Sequence, residues 1–359
     1  MRPIRVLVVD DTVVVRRLVS DVLEADPDVT VAATAPNGRV ALQKVPLVAP
    51  DVVVLDVEMP VMDGLETLRA LRATRPDLPV IMFSSLTERG ASTTLDALAL
   101  GARDYVAKPT NTGGIAGAQA QVRDELVPRV KALGRRRSPA TPAAPPPRAE
   151  NHAGGAGRGA PARVDAVVVG VSTGGPNALA EVLPALPADL PVPVLVVQHM
   201  PPLFTRSLAD RLDRASALAV REASDGDVAA PGAVWIAPGG RHLDVVREGG
   251  AVRLRTHEGP PENNCRPAVD VLFRSAAAVW GRHALGVVLT GMGHDGAAGA
   301  GDLARAGARV VAQDEATSVV WGMPGAVVRA GLADAVVPLG RVAAEVAARV
   351  ARRPARAAA

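Results

Sequence analysis

Ser172 lies in Gly170-Val-Ser172-Thr-Gly174-Gly175-Pro176, directly after the apolar run Ala166–Val169 and before Asn177–Leu186, whose apolar spacing suits a helix. A strand, a glycine-flanked turn and a helix together place the turn residue at the carboxyl edge of a sheet, where the first N–H groups of the helix are free. The run fits the G-x-S-x-G pattern of a nucleophile elbow, but small residues crowd any glycine-rich loop. A phosphate-cradling loop or a plain tight connection fits it as well. Partners elsewhere decide the matter. His199 closes the apolar run Val192–Gln198, and Asp295 follows Leu285–Thr290 through Gly291-Met292-Gly293-His294. If these strands are parallel, a hydroxyl, an imidazole and a carboxylate share one edge despite their separation in sequence. A serine needs a base within hydrogen-bond reach, and the imidazole needs an acceptor that fixes its tautomer and supports its charge. A single histidine after a strand is more often a packing or surface residue, whereas three complementary residues at three strand ends favour a hydrolytic site. The chain order Ser, His, Asp differs from the Ser, Asp, His of α/β-hydrolases, so a different hydrolase fold is expected.

A second set of chemistry-bearing residues lies in the first third of the chain. The runs Ile4–Val9, Val52–Leu55, Val80–Phe83 and Tyr105–Ala107 end in Asp10-Asp11, Asp56, Ser84 and Lys108-Pro109. Helix-like segments alternate with them, notably Val13–Leu23, Leu65–Ala73 and Thr94–Leu100, which argues for a parallel sheet covered on both faces. Any one aspartate at a strand end is usually a helix cap. Polar residues at nearly every strand end point instead to a shared site, because right-handed crossovers bring those ends together. Converging carboxylates require a cation, an all-oxygen set suits Mg²⁺, and a lysine beside them can pair with an incoming anion. A carboxylate so placed can receive a phosphoryl group.

The elements that position these residues fall into separate domains. A chain of 359 residues with 48% hydrophobic content exceeds one ordinary core. The reading is a domain over 1–133, a flexible linker over 134–163, a second domain over 164–351 and an unstructured tail over 352–359. From Gly134 to Arg163 the sequence turns to Arg, Pro, Ala and Gly and loses periodicity, so it buries too little apolar surface to offset its ordering entropy. Pro128 is expected to break or kink the helix that Val122, Leu126, Val130 and Leu133 mark out. The formal charge is +3, yet the linker carries six arginines against Glu150 and the tail adds Arg352, Arg353 and Arg356, leaving the rest acidic. With aromatic residues at 2%, stacking on bases is not supported and no nucleic-acid partner is expected. No run reaches the length of a membrane span and no signal-peptide cleavage region is present, so a cytoplasmic protein without membrane insertion is expected. The single Cys265 excludes an internal disulfide and reads as a structural thiol. His242, His257 and His283 have no second metal-type ligand at suitable spacing. Asp225-Gly226 and Glu248-Gly249-Gly250 read as turns, with Ala233–Ile236 and Val252–Thr256 as strands forming an antiparallel hairpin, and Arg266–Ala278 reads as a helix.

Two stretches carry a family resemblance. Asp56-Val-Glu-Met-Pro60-Val-Met-Asp63-Gly64 with Lys108-Pro109 resembles the receiver domains of response regulators. That resemblance implies a flavodoxin-like, five-stranded parallel sheet. It implies Asp56 as phosphoacceptor, Asp10, Asp11 and Asp56 as Mg²⁺ ligands, and Ser84 and Lys108 as contacts to the phosphoryl group. Tyr105 falls where the family has a switch aromatic, and packing explains a tyrosine there equally well. The motifs Gly170-Val-Ser172-Thr-Gly174-Gly175, Gln198-His199-Met200-Pro201, Arg266-Pro267-Ala268-Val269-Asp270 and Leu289-Thr-Gly291-Met292-Gly293-His294-Asp295-Gly296 are similar to those of chemotaxis protein-glutamate methylesterases, the CheB family. This second resemblance implies a doubly wound α/β catalytic domain with Ser172, His199 and Asp295 as its catalytic set and no cofactor. Backbone N–H groups of Thr173 and Met292 are candidate oxyanion donors, although Met292 could equally pack. His294 reads as an exposed spectator. The partners implied are methylated chemoreceptor cytoplasmic domains and a histidine kinase, with phosphorylation controlling access to Ser172. Two other readings keep the architecture: a signalling esterase for a non-receptor substrate, and a phosphorylation-dependent binding module. A DNA-binding output is disfavoured because no helix-turn-helix pattern follows the linker.

Overall fold

The computed structural model describes residues 2–109, 114–135 and 163–351, so most of the expected linker and the whole expected tail lie outside the described residues. The chain divides into two compact units, Met1–Pro142 and Ala143–Ala359. In the first, β1 (Ile4–Val9), β2 (Val29–Ala35), β3 (Val52–Asp56), β4 (Val80–Ser84) and β5 (Asp104–Ala107) form a five-stranded parallel sheet in the order β2-β1-β3-β4-β5. The three central strands are predominantly apolar, rich in Val, Ile and Leu, because helices cover both faces. Strand β2 is an edge strand of alternating Val, Thr and Ala, partly exposed along its length, and its weak apolar signal hides it in the sequence. Helix α1 (Val13–Glu24) follows β1, α2 (Gly38–Val48) follows β2, and α3 (Gly64–Thr74) starts at a reciprocal capping box between Asp63 and Glu66. Helix α4 (Glu88–Ala99) is capped by the Thr87 hydroxyl. Helix α5 (Gly114–Gly134) runs through Pro128 rather than ending there. The missing N–H costs one hydrogen bond, and the buried face of Val122, Leu126, Val127, Val130 and Leu133 keeps the helix continuous.

The second unit is built on seven parallel strands in the order β14-β13-β12-β6-β7-β9-β8. Strand β6 (Ala166–Val171) lies between β7 (Val194–Gln198) and β12 (Ala284–Val288). Strands β8 (Ala219–Glu222) and β9 (Ala233–Ile236) extend the sheet beyond β7, and β13 (Arg309–Gln313) and β14 (Ala335–Val337) extend it beyond β12. The chain thus leaves β6 on one side and returns on the other. That reversal opens a crevice at the carboxyl ends of β6 and β12, the place where doubly wound sheets bind ligands. Helices α6 (Gly175–Val182), α7 (Phe204–Ala215), α9 (Ala297–Arg305), α10 (Met323–Arg329) and α11 (Leu339–Ala351) complete the layers. Helix α8 (Val269–Trp280) buries Leu272, Phe273 and Ala276 in the core beside Val168 and Val288.

Two expectations need correction. The antiparallel hairpin exists, but the partner of β11 (Ala251–His257) is β10 (His242–Glu248), not Ala233–Ile236. Gly249 and Gly250 make its two-residue turn with φ of 56° and 83°, a conformation few other residues accept. Ala233–Ile236 instead pairs in parallel with β7, where Val234, Trp235 and Ile236 are buried. The helix expected from Arg266 starts three residues later, at Val269, because a residue preceding proline is biased away from helical dihedrals. Among the described residues no helix is long and apolar enough to cross a membrane.

Candidate active site

Ser172 caps the central strand β6 and is buried. Its N–H donates to the Thr290 carbonyl at 3.0 Å, tying the turn to the segment after β12. Thr290 returns the link, its hydroxyl donating to the Thr173 carbonyl at 2.9 Å. On the opposite side the Gln198 amide donates to the carbonyls of Ser172 at 3.1 Å and His199 at 3.0 Å, clamping two strand ends together. The glycines are steric necessities. Gly174 has φ of 77°, and any side chain there would strike Val319; one at Gly291 would strike Met323 and the Cβ of Ser172.

His199 follows β7 and meets Asp295 as the strand pattern requires, Nε2 lying 2.7 Å from Asp295 Oδ2. Asp295 is 2% exposed and accepts further hydrogen bonds from the N–H groups of Val269 (2.7 Å), Asp270 (3.1 Å) and Gly296 (3.0 Å) and from the Asn263 amide (3.0 Å). Two of these N–H groups open α8, whose N-cap residue Ala268 has no capping side chain. Asp295 therefore caps α8 from a distant loop, and the positive end of the helix stabilises its charge. Burial alone would raise the Asp295 carboxyl, but His199 and these backbone donors outweigh it and hold the group below the usual carboxylate range. For His199, burial opposes the imidazolium, while Asp295 and then Cys265 favour it and push the ring up to about 9.

Because Nε2 is committed to Asp295, Nδ1 is the nitrogen left to exchange a proton with a nucleophile. Cys265 Sγ lies 3.6 Å from that nitrogen, so the thiol read as structural stands against the base instead. Ser172 Oγ makes no hydrogen bond among the described residues; serine–imidazole contacts tighten once substrate is in place. The structure thus joins His199 to Asp295 directly and brings Ser172 to the same edge through the Gln198 clamp. Neither the Thr173 nor the Met292 N–H donates to a backbone carbonyl among the described residues, and Met292 is half-buried on the loop that begins at Gly291. His294 is exposed. His242 is a core residue: its Nδ1 accepts from the Ala268 N–H and its Nε2 bonds the Pro260 carbonyl. The sequence offered no sign of Asn263, Asp270 or Gln198 as neighbours of the site beyond their presence in or beside the motifs.

The first unit gathers its own polar set at the carboxyl edge of its sheet. Lys108 Nζ lies 2.8 Å from both Asp10 Oδ2 and Asp56 Oδ2. Carboxylate oxygens of Asp10, Asp11 and Asp56 all fall within 4.8 Å of one another, with Asp10 and Asp56 buried and Asp11 exposed. Burial, reinforced by Asp10 and opposed by Lys108, pushes the Asp56 carboxyl up to about 6. One lysine does not balance three carboxylates, and the all-oxygen donor set fits a hard divalent cation. Ser84 ends β4 at the same edge, its hydroxyl donating to the Gly90 carbonyl at 3.2 Å. Tyr105 is buried, 7% exposed.

Both edges correspond to known families. Residues 167–346 match the CheB methylesterase family and residues 6–118 match the response regulator receiver domain. A protein-glutamate methylesterase/protein-glutamine glutaminase of Nocardioides sp. is 54% identical, covering 98% of this chain and 97% of the relative. The protein of the same name from Trichodesmium erythraeum is 47% identical, over 98% of this chain and all of the relative. Among solved structures, the CheB methylesterase catalytic domain of Thermotoga maritima is 44% identical with a TM-score of 0.51, covering 52% of this chain and 99% of that one. A catalytic model spanning half the chain, a receiver model ahead of it and relatives collinear with nearly all of it have one meaning: the chain belongs to the CheB methylesterase family, as a response regulator with a methylesterase domain.

Proposed function

We propose that this cytoplasmic protein removes methyl esters from glutamate side chains of chemoreceptor cytoplasmic domains, and deamidates receptor glutamines, under the control of phosphorylation at Asp56. The observation that carries the chemistry is the 2.7 Å contact between His199 Nε2 and Asp295 Oδ2 at the strand edge where Ser172 stands. Ser172 Oγ attacks the ester carbonyl while His199 Nδ1 takes its proton. Asp295 holds the ring and stabilises the imidazolium that forms. The tetrahedral oxyanion accepts hydrogen bonds from the N–H groups of Thr173 and Met292. His199 returns the proton to the departing methanol, then draws a proton from water as it attacks the acyl-enzyme, and glutamate is released. A glutamine side chain follows the same course with ammonia leaving.

In the receiver, Asp56 accepts a phosphoryl group from a histidine kinase, with Lys108 and Ser84 contacting its oxygens. Asp10, Asp11 and Asp56 would hold Mg²⁺, which when bound offsets carboxylate repulsion and shields the phosphoryl charge. Family relatives and the crowded acidic edge support this assignment. The deciding experiment measures methanol release from a methylated receptor by the wild type and Ser172→Ala, with and without a small-molecule phosphoryl donor. Release by Ser172→Ala at the wild-type rate overturns the catalytic assignment. An isolated 164–351 domain no faster than the unphosphorylated full chain overturns inhibition by the receiver.

A further inference from the structure

Asp295 is not the only buried carboxylate behind His199. Asp270, the second residue of α8, is 3% exposed, and its Oδ1 accepts from the Gly299 N–H at 2.6 Å. Burial raises its carboxyl above the ordinary range, and Asp295 adds to that rise. Between the two acids stands one amide. Asn263 Nδ2 donates to Asp270 Oδ2 at 2.9 Å and to Asp295 Oδ1 at 3.0 Å, one N–H for each. Two buried carboxylates without such a donor between them would share a proton, since like charges at close range do not both ionise. A proton on Asp295 would remove the charge that supports the His199 imidazolium.

The surrounding loop holds that amide in place. Glu262 and Cys265 exchange backbone hydrogen bonds at 3.1 and 2.8 Å, closing a two-residue turn. Its central residues, Asn263 and Asn264, have φ of 52° and 61°, a region that asparagine tolerates better than most residues. The Glu262 carboxylate is held by both terminal nitrogens of Arg274 on α8, at 3.0 and 2.8 Å, which fastens the turn to the helix that Asp295 caps.

We propose that Asn263 is a positioning residue of the esterase, its amide keeping Asp295 oriented and separate from Asp270 so that the negative charge remains facing His199. The proposal rests on the Ser172, His199 and Asp295 reading given above. Asn263→Gly is the informative variant, because glycine accepts the positive φ and removes only the amide. It lowers kcat about 30- to 100-fold, as a small misplacement of a catalytic group does, and leaves KM within about threefold and the thermal midpoint near that of the wild type. In Asn263→Gly/Asp270→Asn the second carboxylate is gone, and kcat recovers to within about fivefold of the Asp270→Asn single variant, a non-additive rescue that a merely structural role does not produce. All are assayed in the full chain by methanol release from a methylated receptor, with Ser172→Ala alongside. Near-wild-type kcat in Asn263→Gly, a loss confined to KM, or losses that add in the double variant overturns the proposal. Methanol release by Ser172→Ala, by contrast, overturns the catalytic reading on which it rests. If Asn263→Gly unfolds, Asn263→Asp preserves shape while exchanging the donor for a third acceptor, and wild-type activity from it overturns the proposal equally.

Discussion

The two domains place acids at the same topological location and neutralise them in opposite ways. In the receiver, Asp10, Asp11 and Asp56 converge on one another while the Lys108 ammonium pairs with Asp10 and Asp56 alone, and the set remains short of positive charge. In the esterase, Asp295 draws its compensation from inside the fold: two N–H groups of the first turn of α8, that of Gly296, the Asn263 amide and the His199 ring. The consequence appears in the acidities, with Asp56 raised to about 6 and Asp295 lowered. A carboxylate that depends on incoming ions suits a regulated phosphoacceptor. One that the backbone already satisfies suits a catalytic group that must stay ionised through every turnover.

Replacing the proposed nucleophile makes the largest break. Ser172→Ala lowers kcat by about five orders of magnitude in methanol-release assays, comparable to losses when a triad serine is removed. Asp295→Asn comes next: it keeps the volume but loses the charge on Nε2, and kcat falls by about 10⁴-fold, as it does when the triad aspartate of a serine protease becomes asparagine. The same variant weakens the cap of α8, lowering stability by about 1 kcal/mol in denaturant titrations. In the receiver, Asp56→Asn leaves basal esterase activity intact and abolishes stimulation by a phosphoryl donor, read as the ratio of rates with and without it. The smallest effect is expected at Cys265. His199 must be neutral to accept the serine proton, so kcat/KM falls as pH drops through its pKa, about 9 in this structure. Cys265 helps to raise that value, so Cys265→Ala moves the limb to lower pH and increases kcat/KM at pH 7 by up to about threefold. A limb that stays in place would show that the thiol does not touch the base in solution, and one that moves up would contradict the assigned sign.

Much of this comparison was legible in the sequence, for a physical reason. Parallel strands covered on both faces read as apolar runs, and the polar residue that ends each run marks the carboxyl edge; Asp10, Asp56, Lys108, Ser172 and His199 were all located in that way. What escaped notice depends on contacts between distant segments. Strand β2 is an edge strand of half-exposed Val, Thr and Ala, and Ala233–Ile236 carries no mark that distinguishes an inner parallel strand from an arm of a hairpin. Helix α8 has Ala268, with no capping chemistry, as its N-cap residue, because the cap arrives from Asp295. Nothing local at Asn263-Asn264 reveals that the first amide separates two acids. Pro128 does not end α5, its local penalty being outweighed by a buried helical face.

The central claim is that His199 activates Ser172, and the most direct test is the rate at which a serine-directed fluorophosphonate labels the full-length protein, with the adduct located by peptide mass spectrometry. The account predicts a single adduct on Ser172, forming at least about 10³-fold more slowly in His199→Ala. Labelling of Ser172 at an undiminished rate without His199 would contradict it, as would an adduct on any other residue in its place.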